Sequence, residues 1–310
     1  MNYAMYITYL LVYGIAASTV IGLIAAWVDR KVTARVQYRV GPPFMQPAYD
    51  IIKLLGKETL IPHGASRLVF LGAPAAGLAG VIVVSTLLWA NNIGPDHTFV
   101  GDVIVMIYLL LLPSLSLIMG GFASRNPLAS LGGSREMKLI VAYELPFVMA
   151  VMVPVIKSGF ALQLGEIVRY QWTNGPFVFT LSGFLAWFVA LWCIQAKLGL
   201  VPFDLPEAET ELASGLLIEY SGVGLALFRL MKAIALFVLP FVLITLFMGG
   251  VEFRGLHWLG VIPKYVVLLV LITVIRNTNP RVRIDQAMRF YWGPMAVLGL
   301  AAVALALAGW

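Results

Sequence analysis

Residues 202–211 read Pro202-Phe203-Asp204-Leu205-Pro206-Glu207-Ala208-Glu209-Thr210-Glu211, and Glu219-Tyr220-Ser221-Gly222 follows inside an apolar run, 214–248, that also carries Arg229 and Lys232. Carboxylates crowded against an apolar run of that length decide how the chain is read. The run is long enough to cross a hydrocarbon core of ~30 Å. Ionisable groups in such a segment are costly and mark a working pathway. Proton or ion handling is the first expectation for Asp204, Glu207, Glu209, Glu211 and Glu219.

The rest of the chain has the same character. Of its 310 residues 61% are hydrophobic and 12% charged, and the mean hydropathy of +0.92 excludes an ordinary soluble domain. Apolar windows fall at 5–28, 68–90, 103–122, 138–158, 177–197, 214–248, 258–276 and 291–309. An all-α polytopic membrane protein with about eight spans follows, with both termini on one face. No repeat of fixed period and no linker divides residues 1–310, so one integral membrane domain is expected. The first window lacks a basic n-region and a small-residue cleavage site before Asp29, so it is read as a retained helix rather than a cleaved signal.

Basic residues cluster in the odd-numbered connections: Arg30, Lys31, Arg35, Arg39, Lys53, Lys57 and Arg67; Arg125 and Arg135; Arg276, Arg281, Arg283 and Arg289. The even ones hold Lys157, Arg169, Arg254 and Lys264. The positive-inside rule puts the odd loops in the cytoplasm and both termini outside, in a cell (inner) membrane. The net charge of +6 is spread along these edges with no nucleic-acid motif, which points to anionic lipid and acidic partner subunits rather than nucleic acid. Cys193, His63, His97 and His257 are too few and too far apart for an iron-sulfur or haem site. No cofactor or metal is expected in this chain, and any electron carriers must sit in partner chains.

Gly41-Pro42-Pro43 breaks the chain before residues 46–56, where Asp50, Lys53 and Lys57 share one helical side and Ile51, Leu54 and Leu55 another. That pattern predicts an interfacial amphipathic helix too short to span. Pro113, Pro146, Pro154 and Pro240 lie inside spans and remove backbone donors there, and broken helices in membranes commonly line polar cavities. Glu144, two residues before Pro146, reads as a path residue or as a helix-end carboxylate at headgroup level. Asp204 has the position of an N-cap and Glu207 the spacing of a capping box. On a helix, Glu207 and Glu211 would share a face, where repulsion and burial raise a carboxyl's pKa. Glu219 would begin a span with Tyr220 and Ser221 as hydrogen-bond partners. Arg229 and Lys232 would be counter-ions to Glu144 or Glu219, or a structural pair. The basic run 29–42 is half explained by topology, but Gln37, Gly41 and Pro42 are not.

Together these stretches resemble one family: membrane subunit 1 of respiratory complex I (the H-type subunit of NADH:quinone oxidoreductase) and its counterparts in energy-converting membrane-bound hydrogenases. The resemblance rests on Asp29-Arg30-Lys31-Val32-Thr33-Ala34-Arg35-Val36-Gln37-Tyr38-Arg39-Val40-Gly41-Pro42, on Tyr143-Glu144-Leu145-Pro146, and on the acidic stretch from Pro202 to Gly222. It implies about eight spans and docking of a hydrophilic redox arm, with an acidic funnel relaying protons or coupling signals. Carried over by position, it nominates Glu144, Asp204, Glu207, Glu209, Glu211 and Glu219 for the path, beside Arg229 and Lys232. It nominates Arg30, Lys31, Arg35, Gln37, Arg39, Asp50, Lys53, Arg125, Arg135 and Glu136 for docking. Gly132-Gly133-Ser134-Arg135-Glu136-Met137, with Asp29 where complex I has glutamate, looks like the hydrogenase branch. That branch implies hydrophilic [NiFe] hydrogenase large and small subunits, iron-sulfur subunits and antiporter-like membrane subunits as partners, with the clusters and nickel-iron centre in those chains. The rivals are a quinone-reducing complex with a quinone cavity between the first span, the amphipathic helix and the acidic loop, a sulfur-reducing complex of the same plan, and a stand-alone ion transporter.

Overall fold

The computed structural model describes residues 3–97, 99–252 and 257–310, with the side chains at 3, 4, 97, 209, 210, 257 and 258 outside that description. Among the described residues every regular element is helical. The first span joins α1 (Tyr3–Thr8), a π-helical segment (Tyr9–Ala17) and α2 (Ser18–Val36). It runs past the expected end at 28 and carries Asp29, Arg30, Lys31 and Arg35 on its last two turns.

The amphipathic helix α3 (Gln46–Leu55) forms as the pattern requires, with Pro47 in its first turn and Gln46 Nε2 donating to Asp50 2.8 Å away. α4 (Arg67–Ile93) descends to the opposite end. The third span is split into α5 (Asp102–Leu109) and α6 (Leu112–Ala123), with Pro113 in the first turn of α6, where its missing N–H leaves no helical bond unmade. α7 (Pro127–Lys157) instead passes through Pro146 and Pro154 unbroken. Asn126 caps it, its Oδ1 accepting from Leu128 N at 2.8 Å.

An amphipathic α8 (Leu164–Asn174) was not legible as an apolar window. It precedes α9 (Leu181–Lys197), α10 (Glu209–Leu212), α11 (Gly222–Phe247) and α12 (Val261–Thr278). The last span joins α13 (Ile284–Phe290), a π-helical segment (Tyr291–Met295) and α14 (Ala296–Leu307). Seven of these helical stretches are long and apolar enough to cross a membrane, and the remaining expected window is the 17-residue α9. At 1.5 Å per residue α9 rises ~26 Å, at the short end of what a bilayer accepts.

α11 is the axis of the bundle: 89% of its most apolar stretch is buried, against 22% for the first span. α2, α4, α12 and α9 pack against it, and α9 packs in turn on α7 and α14. Close approach to α2 needs Gly22, where a Cβ would come within 2.6 Å of the Ala233 carbonyl oxygen. α11 begins later than the apolar run suggests, at Gly222. That residue has φ +56°, and a Cβ there would meet Thr59 Oγ1, the Glu58 oxygen and the Lys57 oxygen at 2.6–2.7 Å. The chain after α3 is thereby knitted to the head of α11, with Leu60 N donating to Ser221 Oγ at 2.9 Å and Val223 N to Thr59 Oγ1 at 3.1 Å.

Candidate functional site

At the end of the bundle where α2 leads into α3, a cavity of about 500 Å³ opens. Its wall comprises Asp29 and Arg30 of α2, Asp50 of α3, Asp204 and Glu207 of the 198–217 loop, Arg229 and Lys232 of α11, and Arg276 of α12. The expected space between first span, amphipathic helix and acidic loop is therefore present. The charges form pairs: Asp29 with Arg276 at 2.5 Å, Arg30 with Asp50 at 2.7 Å, Asp204 with Arg281 at 2.8 Å, and Glu207 with Lys232.

Leu198, Gly199, Asp204, Glu207 and Lys232 also line a second, smaller cavity of about 30 Å³ reaching inward to Glu136, Ser114 and Lys197. The Glu207–Lys232 pair thus stands between the two spaces. Beyond it, Lys197 holds Glu144 at 2.6 Å and lies over the rings of Tyr143 (4.8 Å) and Phe147 (4.5 Å). Aromatic faces stabilise a desolvated ammonium there. A buried carboxylate needs such a partner, because an unpaired charge in a low-dielectric interior is strongly unfavourable.

Several expectations are corrected by this geometry. Residues 202–208 are turns rather than the start of a helix, and α10 is capped by Ala208. Asp204 and Glu207 therefore reach across to Arg281 and Lys232 instead of capping. Glu211 shares no helix face with Glu207 and points outward to Arg135 at 2.6 Å. Arg229 and Lys232 are counter-ions to neither Glu144 nor Glu219. Lys232 takes Glu207, Lys197 takes Glu144, and Glu219 accepts from Asn126 Nδ2 at 2.6 Å rather than from Tyr220 or Ser221. Glu144 lies in mid-α7, not at a helix end. Glu136, expected on the docking surface, is 4% exposed and faces the inner cavity, because the α7 face it occupies packs against α6. The side chain of Glu209 lies outside the described residues.

Among the other docking candidates, Arg35, Gln37, Arg39, Lys53 and Arg125 are exposed at the loop end and Lys31 is half-buried. The sequence reading missed Lys197 as a site residue; a lone lysine closing an apolar window was the available signal. Asp29 and Arg276 were read for motif and topology, and their pairing across 247 residues leaves no local trace.

Outside the spans, burial and then the Glu207 charge raise the Asp204 carboxyl above its ordinary range, against Arg281 and Lys232. Burial acts the same way on Asp50, but hydrogen bonds from Arg30 and Gln46 and the Arg30 charge outweigh it and hold that carboxyl low. Arg135 lowers Glu211 through its hydrogen bond and charge. Among the described residues no three His, Cys, Asp or Glu side chains converge to hold a metal ion.

A family model described as NADH dehydrogenase matches residues 7–307. The H-type subunit of NADH-quinone oxidoreductase from Thermomicrobium roseum is 36% identical over 313 residues, covering 91% of each chain. Its counterpart from Geobacillus thermodenitrificans is 34% identical over 295 residues, covering 89% of this chain and 86% of its own length. A chain from the structure of the membrane-bound sulfane sulfur reductase, an archaeal respiratory membrane complex, superposes with a TM-score of 0.87 at 28% identity, over 98% of this chain and 99% of that one. The chain described here belongs to the NADH dehydrogenase subunit 1 family of membrane proteins.

Proposed function

We propose that this chain is the membrane anchor and ion-conducting subunit of a complex I-like oxidoreductase, in the branch that reduces protons at a partner [NiFe] hydrogenase. The carrying observation is the succession of half-buried ion pairs leading inward from the open cavity: Asp204–Arg281, Glu207–Lys232, then Lys197–Glu144. No redox chemistry occurs in this chain. Ferredoxin- or formate-derived electrons pass through iron-sulfur clusters of partner subunits, and two of them join two protons to make hydrogen. The exposed basic residues Arg35, Arg39, Lys53 and Arg125 receive the hydrophilic arm on the cytoplasmic side, with both termini outside. The charge change above the cavity shifts protonation along the pairs, because charges couple strongly where water is scarce. Antiporter-like neighbours complete the ion route.

The hydrogenase branch rests on Ser134-Arg135-Glu136-Met137 and on Asp29. A second reading, quinone reduction, is favoured by the roughly head-group-sized cavity of about 500 Å³ and by the similarity to chains of NADH-quinone oxidoreductases. The intact complex, purified with its iron-sulfur partners, should evolve hydrogen from a reduced low-potential viologen. Absence of hydrogen from an iron-replete complex would overturn the branch, and bound quinone or polysulfide reduction would identify the alternative. In vesicles, Glu144→Gln and Glu207→Gln should each lower ions moved per turnover. Unchanged pumping in both would remove the path.

A further inference from the structure

Among the described side chains lining the inner cavity, Asp204 and Glu207 are each locked to a cation, whereas Glu136 has no ion-pair partner. It is 4% exposed and lines the cavity beside Ser114, whose hydroxyl lies 3.4 Å from that of Tyr143. Lys197 and Lys232 line the same space. Its 30 Å³ accommodates about two water molecules. Glu207 stands at the outer cavity, and the Oε1 of Glu144 is buried without a hydrogen-bond partner beyond Lys197.

We infer that Glu136 is the exchangeable-proton site of the inner cavity, and that the ion this chain passes there is a proton and not sodium. A sodium ion needs a shell of several oxygens, and the two ammonium groups lining this space repel a cation while the neighbouring carboxylates are already committed to them. A proton needs one acceptor and a connecting water. In the step, an O–H bond of a protonated Glu207 breaks as one forms on a cavity water, and a water O–H breaks as one forms on Glu136, which lines the same space. One proton moves inward and no electron moves, and the reverse step returns Glu136 to its charged form. This assignment rests on reading the chain as an ion path and adds the residue and the ion.

Infrared difference spectroscopy on the intact complex in lipid vesicles, wild type against Glu136→Gln, tests it without requiring turnover. The expected result is a protonated-carboxyl C=O band in the wild type that is absent from the variant, moves in D2O, disappears in alkaline buffer and is the same with sodium or choline as the only cation. Glu136→Asp should restore a shifted band, and it replaces the Gln variant in the comparison if that variant fails to assemble. No such band at any pH, or its loss when sodium is added, would overturn the inference. A complex that evolves no hydrogen yet shows the band would overturn the hydrogenase branch alone.

Discussion

The two ends of this bundle both hold polar groups in their interiors and use them differently. At the end of the bundle away from α3, Asp102, Asn92 and Thr245 are each 0% exposed. Asp102 Oδ1 accepts from Leu164 N at 2.7 Å, Asn92 Oδ1 accepts from Val251 N at 2.7 Å, and Gln171 Oε1 accepts from Gly249 N at 2.8 Å. These partners are mostly backbone amides, which neither gain nor lose protons, so the network is a latch fixing the loops that enter α8 and leave α11. At the α3 end the partners are side chains of opposite charge, and cavities run between them. Each such pair has two protonation states to offer. Interior polar groups are therefore common to both ends, and the kind of partner separates a fixed joint from a relay.

The largest effect that distinguishes the ends is expected at Lys197. Lys197→Met leaves the half-buried Glu144 carboxylate with no cation and should destabilise the detergent-purified protein by up to about 3 kcal/mol, read as a fall in unfolding temperature. Adding Glu144→Leu removes the stranded charge and should recover most of that stability, since an apolar pair often replaces a buried ion pair at little cost. Ion translocation should stay lost in the double variant. Recovery of pumping along with stability would reduce this pair to a structural tie, no different from the far end.

Asp102 is the matching probe of the latch. Asp102→Ala strands the Leu164 amide and should cost about 1–3 kcal/mol, with ions moved per turnover unchanged. Asp102→Asn should be close to neutral, because the Oδ1 of Asn91, buried and without a hydrogen-bond partner, can accept from the new amide once that side chain turns. A translocation defect in Asp102→Asn, which keeps the shape and removes the titratable group, would make the far end part of the path and erase the contrast.

How far the sequence spoke follows the same division. Spans, the amphipathic helix and the crowding of carboxylates were legible because period and composition are local properties. The pairings were not: Asp29 meets Arg276, Asp204 meets Arg281 and Lys197 meets Glu144 across separations that only packing around α11 closes. Local rules even misled, since Asp204 and Glu207 have capping spacing yet lie in turns ahead of α10, which Ala208 caps. Glu136 looked like a loop residue beside Arg135. The helix that Asn126 caps starts far enough upstream to carry Glu136 into the interior.

The smallest effect lies at the rim, where Arg30 holds Asp50 of α3 at 2.7 Å with the arginine 43% exposed. Because the Asp50 carboxyl is held below its ordinary range, this tie contributes at any pH above that range and is lost as pH falls through the lowered value. Asp204 has the opposite sign: its carboxyl is raised, so its titration favours the folded state below the ordinary carboxylate range, and that contribution is lost as pH rises through the raised value. Acid should therefore loosen α3 first while leaving the loop at Asp204 tight. Amide hydrogen exchange should show faster exchange over 46–55 on acidification and, more weakly, on adding salt, which screens an exposed pair. Equal loosening of 46–55 and 198–208 in acid would mean that the rim and the inner wall respond as one unit, and that the relay begins at Asp50 and not at Asp204.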